Sequence, residues 1–122
     1  MDVVMNNPIK AVLFMPGELP RYIEFDESLD NLQKVVDGYI QAIPVPGDKR
    51  ATAYINDEGK LRGMEANTYA TRRMYDILQA DDYIAGPMLV TGFDPESGDN
   101  CDIPPDLAKY LIDRCYNEAE NE

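Results

Sequence analysis

The chain has 122 residues and a formal charge of −12, with 23 Asp and Glu against 11 Lys and Arg, and it contains no histidine. This length suits one domain able to bury about two-thirds of its unfolded surface, and no apolar run approaches the roughly 18 residues a membrane span needs. The charge argues against general nucleic-acid or anionic-membrane binding, which needs a broad basic footprint, and the missing histidine removes Ser-His and Cys-His pairs, histidine bases and histidine metal sites.

The first seven residues carry neither a basic nor an apolar leader pattern, so a cytoplasmic location is expected. Lys10 to Met15 is apolar, Pro16-Gly17 signals a turn, and Arg21 to Phe25 alternates, which predicts a hairpin. Ser28 is a good N-cap for a short helix with Leu29, Leu32, Val35 and Val36 on one face, and Gly38 suits its left-handed stop. Tyr39 to Ile43 and Ala51 to Ile55 read as a second strand pair around Pro44 to Asp48.

The stretch from Asn67 to Leu78 suits a helix. Tyr83-Ile84 and Met88 to Thr91 predict a last strand, with Gly86-Pro87 marking a kink or an edge position. Phe93 to Asp102 reads as a polar loop. Pro104-Pro105 opens a terminal helix with Leu107, Tyr110, Leu111 and Cys115 as its apolar stripe, and residues 117–122 are expected to fray. Strands mixed with single helices predict one α+β domain over 1–122, with a small, mainly antiparallel sheet and two or three helices.

The chemistry is sparse. Cys101 and Cys115 lack the further ligands a zinc tetrahedron needs, and free thiols are expected. Asp94, Glu96, Asp99 and Asp102 share a Gly-containing loop but miss the EF-hand spacing. Paired acids such as Asp57-Glu58 and Asp81-Asp82 sit at turns, where local hydrogen bonding favours them. No Walker or GxGxxG motif is present. No catalytic residue, cofactor or metal is therefore expected.

The basic residues are unevenly placed. Residues 49–73 hold Lys49, Arg50, Lys60, Arg62, Arg72 and Arg73 against Asp57, Glu58 and Glu65, a net charge of +3, whereas residues 1–48 carry −5 and residues 74–122 carry −10. Such an island can hold a small anion while the rest of the surface repels a long polyanion. The candidate ligand residues are Lys60, Arg62, Asn67, Tyr69, Arg72 and Arg73: arginine forks for phosphate, Asn67 for a base edge, and Tyr69, Tyr54 or Tyr75 for stacking. The competing reading pairs these cations with the surplus carboxylates.

The order Lys10-Ala-Val-Leu13, Gly38-Tyr39-Ile40, Asn56-Asp-Glu-Gly-Lys-Leu61, Asn67 with Ala70, Ile84-Ala-Gly-Pro87 and Val90-Thr-Gly92 resembles domain of unknown function 3846, common in phages and conjugative elements. Gln41 stands where that pattern leads one to expect glutamate. The resemblance implies a small accessory protein of a mobile element, acting against host defence in the host cytoplasm. Joined to the basic island, it gives the expectation of a non-enzymatic sponge for a nucleotide-type immune signal, possible as a homo-oligomer. The alternative is an acidic nucleic-acid mimic that binds a basic host protein through residues 74–122.

Overall fold

The computed structural model describes residues 4–122. Six strands form one sheet: β1 (Pro8–Phe14), β2 (Arg21–Asp26), β3 (Ile40–Val45), β4 (Asp48–Asn56), β5 (Met88–Asp94) and β6 (Asp99–Cys101). The order is β2-β1-β5-β4-β3, with every neighbouring pair antiparallel and β6 paired to the far end of β5. Three helices, α1 (Leu29–Val36), α2 (Thr68–Arg73) and α3 (Pro105–Glu120), complete the α+β fold.

Strand alternation sends side chains to two cores. Val12, Phe14, Ala53, Met88 and Val90 point to one face and are buried with Ala70 and Met74 near α2 and with Leu107, Leu111 and Cys115 of α3. Ile9, Ala11, Phe25, Tyr54 and Leu89 point to the other, where Leu32 of α1 closes a smaller cluster. The sheet is thus the middle of three layers, which explains why β5 reads as an unbroken apolar run.

Local chemistry sets the element ends. Ser28 Oγ accepts from Asn31 N at 3.1 Å and caps α1. At the other end Asp37, at φ 60°, takes the left-handed position, while Asp37 N and Gly38 N reach back to Lys34 O and Gln33 O. This is the Schellman pattern one residue earlier than Gly38 suggested. In the β3–β4 hairpin, Pro46 and Gly47 (φ 77°) occupy the two positions a type II turn reserves for them.

Four expectations from the sequence are corrected. Gly86-Pro87 does not mark an edge: the ladder begins just beyond it, at Met88, and β5 is central between β1 and β4. The stretch Phe93 to Asp102 is not all loop, because β6 pairs with β5 from Gly92↔Cys101 to Asp94↔Asp99. The helix after Asn67 ends at Arg73 and tightens into a 3-10 turn at Tyr75–Ile77. Tyr110 is exposed, and Ala108 takes its place in the buried stripe of α3.

Asn67 ties these parts together. Its side chain is fully buried; Nδ2 donates to Phe14 O at 3.0 Å and Gly86 O at 2.9 Å, while Oδ1 accepts from Ala70 N at the start of α2. Asn67→Ala removes a helix cap and two buried side-chain hydrogen bonds, to Phe14 O and Gly86 O, so it should cost about 3 kcal/mol by urea denaturation. A loss below about 1 kcal/mol would show that the amide is replaceable.

Candidate functional site

The basic island does not remain one island in space. Residues 57–64 fold into successive turns, with Arg62 N bonding to Glu58 O and Met64 N to Gly59 O, so Lys60 and Arg62 do not share a strand face. The Lys60 ammonium donates to the Asp82 carboxylate and lies 5.6 Å from the Tyr83 ring centroid. Arg62 turns the other way and donates to the carbonyl and carboxylate of Asp37, bracing the end of α1. Asn67 is spent on structure, as described above.

Arg72 and Arg73 stay together, and α3 is the reason. Arg73 NH2 lies 2.6 Å from Glu118 Oε2, with the Arg73 side chain only 5% exposed. Arg72 NH1 lies 3.8 Å from Glu118 Oε1 and 3.0 Å from Glu122 Oε1, and its guanidinium sits 6.0 Å from the centroid of half-buried Tyr69. Glu118 thus sits between two arginines, yet its Oε1 is buried without a hydrogen bond.

Arg72, Arg73 and Glu118 wall a hollow of about 400 Å³ between α2, α3 and the β3–β4 turn. Helix α3 contributes Leu107, Tyr110, Leu111, Arg114 and Glu118, one stripe at helical spacing. Tyr75 and Asp76 close a second side, and Val45 and Pro46 a third. The lining holds three arginines against two carboxylates, whereas four other hollows on the described surface hold at least as many carboxylates as cations. Arg114 is exposed and makes no ion pair among the described residues. Beside the hollow, Arg50 bridges Asp48 and Asp106, and its hydrogen bonds hold both carboxyls below their usual range.

The family model described as a domain of unknown function, DUF3846, matches residues 9–116. The chain belongs to that family. No curated protein and no solved structure matches it. In this DUF3846 chain the residues carrying the resemblance hold the fold. Asn56 Nδ2 donates to Val36 O and Asp37 O while its Oδ1 accepts from Glu58 N, and a Cβ on Gly59 would stand 2.5 Å from Ala85 O.

Arg114, Tyr110 and the Val45-Pro46 wall lie outside the residues chosen from sequence. The signal for Arg114 was its spacing of seven from Leu107 and four from Tyr110, which puts all three on one face of a helix. Tyr75 does line the hollow, whereas Tyr54 is buried on the opposite face, where its hydroxyl donates to Asn100 Oδ1.

Two measurements probe this architecture. Arg73→Met leaves Glu118 poorly compensated and should lower stability by about 2 kcal/mol, while Arg72→Met, at an exposed pair, should lower it by less than about 1 kcal/mol; equal urea midpoints would refute the distinction. Burial pushes the Cys115 thiol from an ordinary 9.0 up to about 11, against the pull of Arg73. A raised folded value means stability is intact below pH 9 and is lost as pH rises toward 11. Cys115→Ala should flatten that decline between pH 8 and 11 relative to the parent, and an unchanged slope would assign the decline to other groups.

Proposed function

We propose that this protein is a binding module that sequesters a small anionic, ring-bearing ligand of nucleotide type, acting without chemistry on it. The arginine hollow carries the reading: on a chain of −12 it gathers Arg72, Arg73 and Arg114, with exposed Tyr75 and Tyr110 at its walls. Arg114 supplies the free fork for a phosphate, Arg72 can exchange Glu122 for one, and the tyrosines offer faces for a base. The volume lies at the small end of ligand pockets, which favours a ligand near mononucleotide size. In the setting of a phage or conjugative element, such a sponge would hold a nucleotide immune signal in the host cytoplasm.

One observation favours the second reading, an acidic surface for a basic host protein. Asp94, Asp99 and Asp102 are exposed at the β5–β6 end of the sheet, Glu27 reaches the same end through Asn100, and Lys10 N donates to Asp102. That end is separate from the arginine hollow, so the two readings are separable by mutation.

Mononucleotides, cyclic dinucleotides and cyclic ADP-ribose isomers should be tested by calorimetry, with bound ligand released by heating. One of them should be retained and recovered unchanged. Arg114→Glu should weaken it at least about tenfold with the melting temperature preserved, since an exposed unpaired charge contributes little stability. A cleaved product would make the protein an enzyme, and full binding by Arg114→Glu would move the site elsewhere. Loss of binding to a basic protein on neutralising Asp94, Glu96, Asp99 and Asp102, with Arg114→Glu silent, would select the second reading.

A further inference from the structure

The Asn56 to Leu61 motif is not absorbed by the arginine hollow. It lines a different one, of about 560 Å³, beside the outer strand β3. Asp57, Glu58 and Asp82 face this space against the single cation Lys60, and Gln41 and Ile43 of β3 form one wall. The space already holds an ammonium: Lys60, between the Asp82 carboxylate and the Tyr83 ring. A carboxylate beside an aromatic face is a recognised seat for such a group.

Among the described residues strand β3 has a partner on one side only. Asp57 N donates to Tyr39 O at 2.8 Å, which fixes the alternation. Residues 39, 41 and 43 spend their main-chain groups on β4, and Ile40 and Ala42 turn theirs outward. Pro44 is also an outward position, and having no N–H it ends what the edge can offer. Two consecutive outward residues with complete donor–acceptor sets therefore stand beside an acidic hollow with an apolar wall.

We propose that the β3 edge and this hollow form a docking site for an extended basic segment of another protein, which adds as a short antiparallel or parallel strand at Ile40 to Ala42. Residues of an added strand that stand opposite Gln41 and Ile43 point to the same face as those side chains. Lysine or arginine there would reach Asp57 and Glu58, with the aliphatic stem along Ile43 and Ile77. Main-chain bonds would supply affinity and the carboxylates the preference for positive charge. This site shares no residue with the arginine hollow and stands independently of the sponge reading.

A capped Val-Lys-Val-Lys-Val peptide, titrated into nitrogen-15-labelled protein, tests the proposal. The amides of Ile40 and Ala42 should shift, and binding should weaken at least about tenfold with glutamate in place of lysine, with alternate backbone N-methylation, or in Ala42→Pro and Asp57→Asn/Glu58→Gln proteins. Equal binding of the N-methylated peptide overturns strand addition, and equal binding of the glutamate peptide overturns the role of the carboxylates. Absence of binding at millimolar peptide overturns the site as a whole. A protein dimer in sedimentation that Ala42→Pro dissolves would give the edge to a second copy and likewise overturn the proposal.

Discussion

Three separate segments meet at the Asn67 amide: the end of β1 through Phe14 O, the approach to β5 through Gly86 O, and the first turn of α2 through Ala70 N. The backbone repeats the same tie, with Asn67 N bonded to Ile84 O and Gly86 N to Glu65 O. A buried amide must satisfy its donors and acceptor together, so the three segments cannot shift independently without leaving one unpaired. The start of α2 is thereby set against the sheet, and with it the direction in which Arg72 and Arg73 leave that helix. The arginine hollow depends on this tie even though Asn67 does not line it.

How the cations distribute follows from the same economy of partners. A chain with twice as many acids as bases pairs most of its guanidinium and ammonium groups internally: Arg50 with Asp48 and Asp106, Arg62 with Asp37, Lys60 with Asp82, and Arg73 with Glu118. Exposed pairs of this kind add little to stability but do set where each side chain points. Arg73 differs in being nearly enclosed, which makes its pairing with Glu118 a structural contact between α2 and α3 rather than a surface decoration. Arg114 remains unpaired among the described residues, while Glu118, four residues further along the same helix, is held between Arg72 and Arg73.

Elements with strong local chemistry were legible in the sequence. Ser28 as a cap, Pro46-Gly47 as a turn and Pro104-Pro105 as a helix start each act through their own backbone neighbours, and the α+β class with a mainly antiparallel sheet follows from their spacing. What depends on distant partners was not. Strand β6, Asp-Asn-Cys, has no β signal of its own; it exists because β1 stops pairing with β5 at Thr91 and leaves the ladder open, while Ile103 N bonds to Lys10 O to hold the chain there. Proximity of Lys60, Arg62 and Arg72 along the chain said little about space, because the turns of residues 57–64 reverse direction between them.

Segment 75–85 connects the two hollows. Tyr75 and Asp76 wall the arginine-rich one, while Ile77 to Gln79 and Asp82 to Ala85 wall the acidic one. Its anchors lie at its ends: buried Met74 precedes it, and buried Ile84, whose N–H reaches the Thr71 hydroxyl, closes it. Between them Tyr75, Ile77 and Tyr83 are exposed, and the stretch is held by single-turn hydrogen bonds such as Leu78 N to Tyr75 O and Asp82 N to Gln79 O. Leu78 packs against the main core and Asp82 pairs with Lys60, so the wall is also held between its ends. Occupants of opposite charge on its two sides would therefore be separated by a wall that both hollows share, and any influence of one on the other would require a difference in how each binds that wall.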